Sequence, residues 1–164
     1  MLFTNKIYLD KREPDLKNTY TIVMNFIIIS HIVGYDVWFY ITHIFLHHPT
    51  IYVIHKIHHS TKYDKLKYYH VHTGHIIEHV LQPLGIFLPI FWYGFLWKAF
   101  LIANLIIIAR GLMRHDHRFA WLIGNHHLLH HKYPKYNLGE YWIDVLCGTV
   151  YPGKEEYIHG LIYT

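Results

Sequence analysis

The chain has 164 residues, of which 52% are hydrophobic and only 16% charged, with a formal charge of +4 and eighteen histidines. Its length limits it to one domain, and its charged share falls below the roughly 25% of an average soluble domain, which points to a membrane protein. A single cysteine, Cys147, excludes an intrachain disulfide and argues against a thiolate metal site, while the scattered lysines and arginines argue against nucleic acid.

In chain order, residues 1–18, "MLFTNKIYLDKREPDLKN", form an N-terminal segment that alternates charge and lacks the apolar stretch of a signal peptide. Residues 19–42, "TYTIVMNFIIISHIVGYDVWFYIT", are long enough to cross a bilayer, for which about 20 residues suffice. His31 and Asp36 interrupt this run, and ionisable groups within a span face protein or water rather than lipid. The same pattern fits the core helix of a soluble protein. The helix continues through His43 and His47 until Pro49 stops it.

Residues 43–79 are polar, aromatic and rich in histidine, and read as helical pieces with loops outside the membrane. Residues 80–113 are apolar again, too many for one straight span and few for two. In a single span Lys98 would lie near the bilayer centre, at a cost of about 2.5–3.5 kcal/mol. A turn near Trp92, Tyr93 and Gly94 instead brings Trp92, Trp97 and Lys98 to an interface, where such residues anchor. The expected fold is therefore all-α: integral membrane helices (one span plus a short helical hairpin) carrying a histidine-rich helical cap. Residues 114–150 form the second histidine-rich region and 151–164 a C-terminal tail. A hairpin leaves all histidine clusters on one side, with ten of the fifteen Lys and Arg residues, so the cap is expected to be cytosolic.

The histidines cluster. "HIFLHHPTIYVIHKIHHS" holds six in residues 43–60, and "NHHLLHH" holds four in 125–131. Helix residues four apart differ by about 40° around the axis and about 6 Å along it, so His43 and His47 project from one stripe. Asp36 lies on nearly the same stripe two turns earlier. His55, His58 and His59 fan from one face, and His127, His130 and His131 repeat that fan. Neutral imidazole is the commonest protein metal ligand. Eight such rings exceed the needs of one tetrahedral zinc and match a two-metal site better.

The order HxxxH, HxxHH, HxxHH, with "DVWFYITHIFLHH" and "HHLLHHKYPKYNLGEYWIDVLCGT", resembles the fatty acid hydroxylase/sterol desaturase superfamily of membrane di-iron oxygenases. The likeness covers about residues 34–150. It implies His43, His47, His55, His58, His59, His127, His130 and His131 as metal ligands. "GHIIEH" adds His75, and "RHDHRF" adds His117, with His115 as the competing position. It further implies supporting roles for Asp36, Glu78, Asn137 and Asp144, the last within a D-xxx-GT ending. The implied cofactors are two iron ions, with O2 as co-substrate and zinc as a competitor on purification. The implied partners are a membrane lipid substrate, a cytochrome b5-like electron donor and its reductase. For a protein that is eukaryotic or acts in a eukaryotic host, the implied setting is the endoplasmic reticulum membrane. A metal-binding membrane protein without oxygenase activity, or an inactive relative, is the alternative reading.

Overall fold

A computed structural model describes residues 2–162, with side chains from residue 15 onward. Every regular element among these residues is helical. Helix α1 (Leu2–Leu46) has 45 residues, about 67 Å at 1.5 Å per residue, against a hydrocarbon core of about 30 Å. It thus runs beyond the expected 19–42 span in both directions. Its serine and threonine hydroxyls from residue 15 onward are satisfied internally: Thr19, Thr21, Ser30 and Thr42 each donate to the carbonyl four residues back. That bond suits a helix in lipid, where no water competes.

The distribution of polarity separates the membrane reading from the soluble-core reading. Ile22, Phe26, Ile29, Val33, Val37, Ile41 and Phe45 form an exposed apolar stripe along α1, whereas His31 and Asp36 are buried. A soluble helix buries the apolar face and exposes the charged one. Here the order is inverted. Two segments, Asp15–Leu46 and Ile76–Tyr93, are long and apolar enough to cross a membrane.

The second apolar region descends through α3 (Ile76–Leu81), a 3-10 stretch Gln82–Phe87 and α4 (Ile90–Tyr93). It reverses at Gly94, whose φ of 69° is left-handed and suits glycine, and returns as α5 (Trp97–Met113). Trp92 and Trp97 are exposed at the tip, with the Lys98 ammonium 5.6 Å from the Trp97 ring. Pro83 and Pro89 lack N–H groups, and α1 compensates the broken arm. Trp38 donates to the Leu81 carbonyl at 2.8 Å, and the His31 Nδ1 donates to the Ile86 carbonyl at 2.6 Å. The close approach needs glycine: a Cβ on Gly85 would lie 2.4 Å from the Trp38 Cβ. Small residues at helix crossings serve this end in membranes.

α1 and α5 run in the same direction. His31 meets Phe100 with ring centroids 5.7 Å apart, and the Arg114 guanidinium lies 4.5 Å from the Phe39 ring. Both helices therefore end on the same side, where the short cap helices gather: α2 (Tyr52–His55), α6 (Ala120–Ile123), α7 (His126–Lys132) and α8 (Tyr141–Cys147).

Candidate metal centre

The cap brings nine histidines into two adjoining groups. His43, His47, His55, His59 and His130 form one; His58, His115, His127 and His131 form the other, and within each group the ligand atoms lie within 4.8 Å of one another. The groups abut: the rings of His59 and His131 are 4.7 Å apart, and those of His55 and His58 are 5.2 Å apart. Each HxxHH motif is divided between them. Positions i and i+4 share a stripe, whereas i+3 lies about 60° to the other side of i. His55 and His59 therefore enter the first group while His58 turns to the second. In α7 the roles reverse, with His127 and His131 in the second group and His130 in the first.

The protons are held on the outward nitrogens. Nδ1 of His43 donates to the Leu138 carbonyl at 2.5 Å, that of His55 to the Glu78 carboxylate at 2.9 Å and that of His58 to the Thr73 carbonyl at 2.9 Å. Likewise His115 donates to the Gly111 carbonyl and His130 to the Tyr136 carbonyl, each at 2.8 Å. In these five rings the Nε2 lone pair therefore faces inward, the arrangement that orients metal-bound imidazole. The ring-to-ring approaches are Nε2 to Nε2: His43–His55 2.9 Å, His55–His59 3.0 Å, His59–His130 3.1 Å and His47–His130 3.2 Å. In the second group His58–His115 is 3.2 Å and His115–His127 is 3.1 Å.

Such converging lone pairs repel unless they share a cation. Two nitrogens bound at about 2.1 Å stand about 3.0 Å apart at a right angle and about 3.4 Å apart at a tetrahedral one. The observed separations suit right-angle positions, as does a group of five. Both ring nitrogens of His131 are buried without a hydrogen-bond partner, which is costly unless a ligand takes one. The residues fit metal ions.

Burial sets the protonation state. It lowers the His55 and His58 rings to about 4, His47 to about 3 and His59 to about 2, with neighbouring histidines adding to the shift in His47, His58 and His59. It also holds His115, His127, His130 and His131 well below the ordinary value. All are neutral near pH 7, the form that binds metal.

Two expected ligands stand elsewhere. His75 is the N-cap of α3, where its Nδ1 accepts from the Ile77 N–H at 3.2 Å. His117 is exposed, and its Nε2 meets the Tyr63 carbonyl at 2.8 Å. The chain leaves the helix after Met113 and is extended at Asp116, so His115 faces the second group while His117 turns to the surface. The expected supporting residues also divide. Glu78 contacts the His55 ring of the first group directly. Asp144 acts through the backbone, accepting from the N–H groups of Leu138 and Gly139 at 2.9 Å and meeting the buried His126. Asn137, at φ 56°, sits between the two carbonyl acceptors Tyr136 and Leu138. Its side chain is fixed by the His126 carbonyl, the Tyr151 N–H and the Tyr157 hydroxyl.

Asp36 does not reach the histidines. It pairs with Arg110, which also approaches Glu140 at 3.3 Å, and Glu140 accepts from Arg114 at 2.8 Å. All four are buried, and their two positive and two negative charges balance. The sequence spacing suggested an Asp36–histidine pairing because it carries no record of where α5 packs.

Residues 28–149 match the family model described as fatty acid hydroxylase. The chain belongs to this family. All nine clustered histidines lie within the matched span. No curated protein and no solved structure matches the chain. Fatty acid hydroxylases are generally iron-dependent and membrane-associated, in keeping with the histidine groups and the two long apolar segments.

A cavity of about 280 Å³ adjoins the centre. His43 and His55 of the first group and His58, His115 and His127 of the second line one part of it; apolar residues such as Phe39, Ile86, Ile107 and Ile108 line another, together with the polar Tyr35, Gln82, Asn104 and Arg114.

Proposed function

We propose that the chain is a membrane lipid oxygenase that hydroxylates or desaturates a sterol, fatty acyl or sphingoid lipid. The observation that carries this reading is the shared cavity: both histidine groups border it, and Phe39, Ile86, Ile107 and Ile108 supply apolar wall from the membrane-associated part. Hydroxylation consumes one O2, two electrons and two protons per C–H bond and yields an alcohol and water. Desaturation consumes the same and yields an alkene and two waters.

A pair of iron ions bound at the histidines supplies oxygen activation and C–H cleavage there, and zinc competes for the same nitrogens on purification. The chain's own groups hold and orient. Glu78 keeps the His55 proton on Nδ1, and the Leu138 and Tyr136 carbonyls do so for His43 and His130. Burial of the rings keeps bulk water from the reacting carbon. Electrons come from a cytochrome b5-like carrier and its reductase, since no G-x-G-x-x-G nucleotide fingerprint occurs in the sequence. Lys56, Lys62, Lys65, Lys67, Arg118, Lys132, Lys135 and Lys154 are exposed in the histidine-bearing segments. They suit an acidic carrier and, by the positive-inside tendency, a cytosolic face, which is that of the endoplasmic reticulum membrane if the protein is eukaryotic or acts in a eukaryotic host.

Expression in a host of defined lipid composition, followed by untargeted lipid analysis, tests the reading. The wild type yields an O2-dependent oxidised lipid, and His58→Ala and His130→Ala yield none. Bound metal without O2 consumption or oxidised lipid indicates metal handling instead.

A further inference from the structure

The cavity carries polar groups that the chemistry above does not use. Tyr35 on α1 and Asn104 on α5 both line it. The Tyr35 hydroxyl and the Asn104 carboxamide make no hydrogen bond to another described residue, whereas Gln82, also in the wall, is engaged with Glu78 at 3.3 Å. Because α1 and α5 run in the same direction, with His31 against Phe100 and Asp36 against Arg110, Tyr35 and Asn104 both fall between these contacts. Eight residues separate Tyr35 from His43 and eleven separate Asn104 from His115, about 12 Å and about 16 Å of helix.

An unpaired amide and phenol at membrane depth cost free energy unless something pairs with them. Polar groups so placed face cavities and mark substrate paths. We infer that Tyr35 and Asn104 form a subsite for a second polar group of the substrate, a hydroxyl or carbonyl held about two to three helical turns from the histidine groups. The inference rests on the lipid-oxygenase reading and narrows it: the substrate is polar at a point remote from the reacting bond. The tyrosine hydroxyl donates or accepts, and the carboxamide does both, so the fork takes either partner. A site built for such bonds rejects the analogue lacking them, because its own groups are then left unpaired.

The test uses the full chain in lipid nanodiscs with two photoreactive probes, an alkyl diazirine ending in a hydroxyl and the same compound ending in methyl. Cavity labelling is mapped by mass spectrometry. In the wild type the hydroxyl probe labels the cavity about tenfold more than its methyl counterpart. Tyr35→Phe and Asn104→Leu each reduce that preference, and the double variant abolishes it. Equal labelling by the two probes in the wild type, or a preference unchanged in the double variant, overturns the inference. Iron content and lipid oxidation are measured on the same samples. A metal-loaded, active protein indifferent to the hydroxyl sinks the subsite alone. A preference that persists without metal or oxidation supports the subsite and sinks the oxygenase reading.

Discussion

The two histidine groups differ in how the chain builds them. Four of the five rings in the first come from residues 43–59, two i, i+4 pairs on either side of one turn, and only His130 arrives from afar. The second draws its four rings from the His58 turn, the end of α5 and α7. A group assembled from neighbours in sequence is legible in spacing; one assembled across the fold is not. That difference explains why His115 competes with His117 on paper and displaces it in space.

The largest expected effect separates those two residues. His115→Ala lowers bound iron from about two ions to about one per chain and reduces lipid oxidation at least about a hundredfold, whereas His117→Ala leaves both within about twofold. Metal analysis and turnover on matched preparations decide; the reverse pattern would dissolve the second group as drawn here.

Removing the carboxylate behind the first group comes next. Glu78→Ala frees the His55 Nδ1 proton from its acceptor and is expected to weaken metal binding there about 10–100-fold. Chelator competition measures this. An equal loss at both groups would show that Glu78 does not belong to one of them.

Acid sharpens the comparison in the metal-free chain. Folded His47, His55, His58 and His59 titrate at about 2 to 4, against an ordinary 6.5. Below about pH 6.5 the unfolded chain binds protons that the folded chain refuses, so stability is full above that pH and declines towards pH 4. Melting temperatures that stay level above about pH 6.5 and fall below it are expected, with the fall delayed when iron is bound.

The smallest effect is at His75. His75→Ala removes an N-cap bond to Ile77, costs about 1 kcal/mol by denaturant unfolding and leaves metal content unchanged.

Much of the architecture was legible. Apolar run lengths, the awkward position of Lys98 and the glycine at residue 94 indicated an all-helical chain with a reversal near Trp92 and Tyr93, and the chain does reverse at Gly94. The i, i+4 spacings marked the stripes from which His43, His47, His55 and His59 project. The balanced Asp36–Arg110–Glu140–Arg114 set was not legible, because it depends on which face of α5 meets α1. Nor were the supports of His43 and His130, since main-chain carbonyls have no signature in side-chain identity.

Asn137 connects distant stretches of the chain. It stands between the carbonyls that receive the His43 and His130 protons, and its own oxygen is gripped by Tyr151 and Tyr157. A chain cut before Tyr151 would keep both acceptors and lose two of the three side-chain contacts that hold Asn137 between them. Such a chain would still carry all five histidines of the first group, yet lack the scaffold that aims His43 and His130.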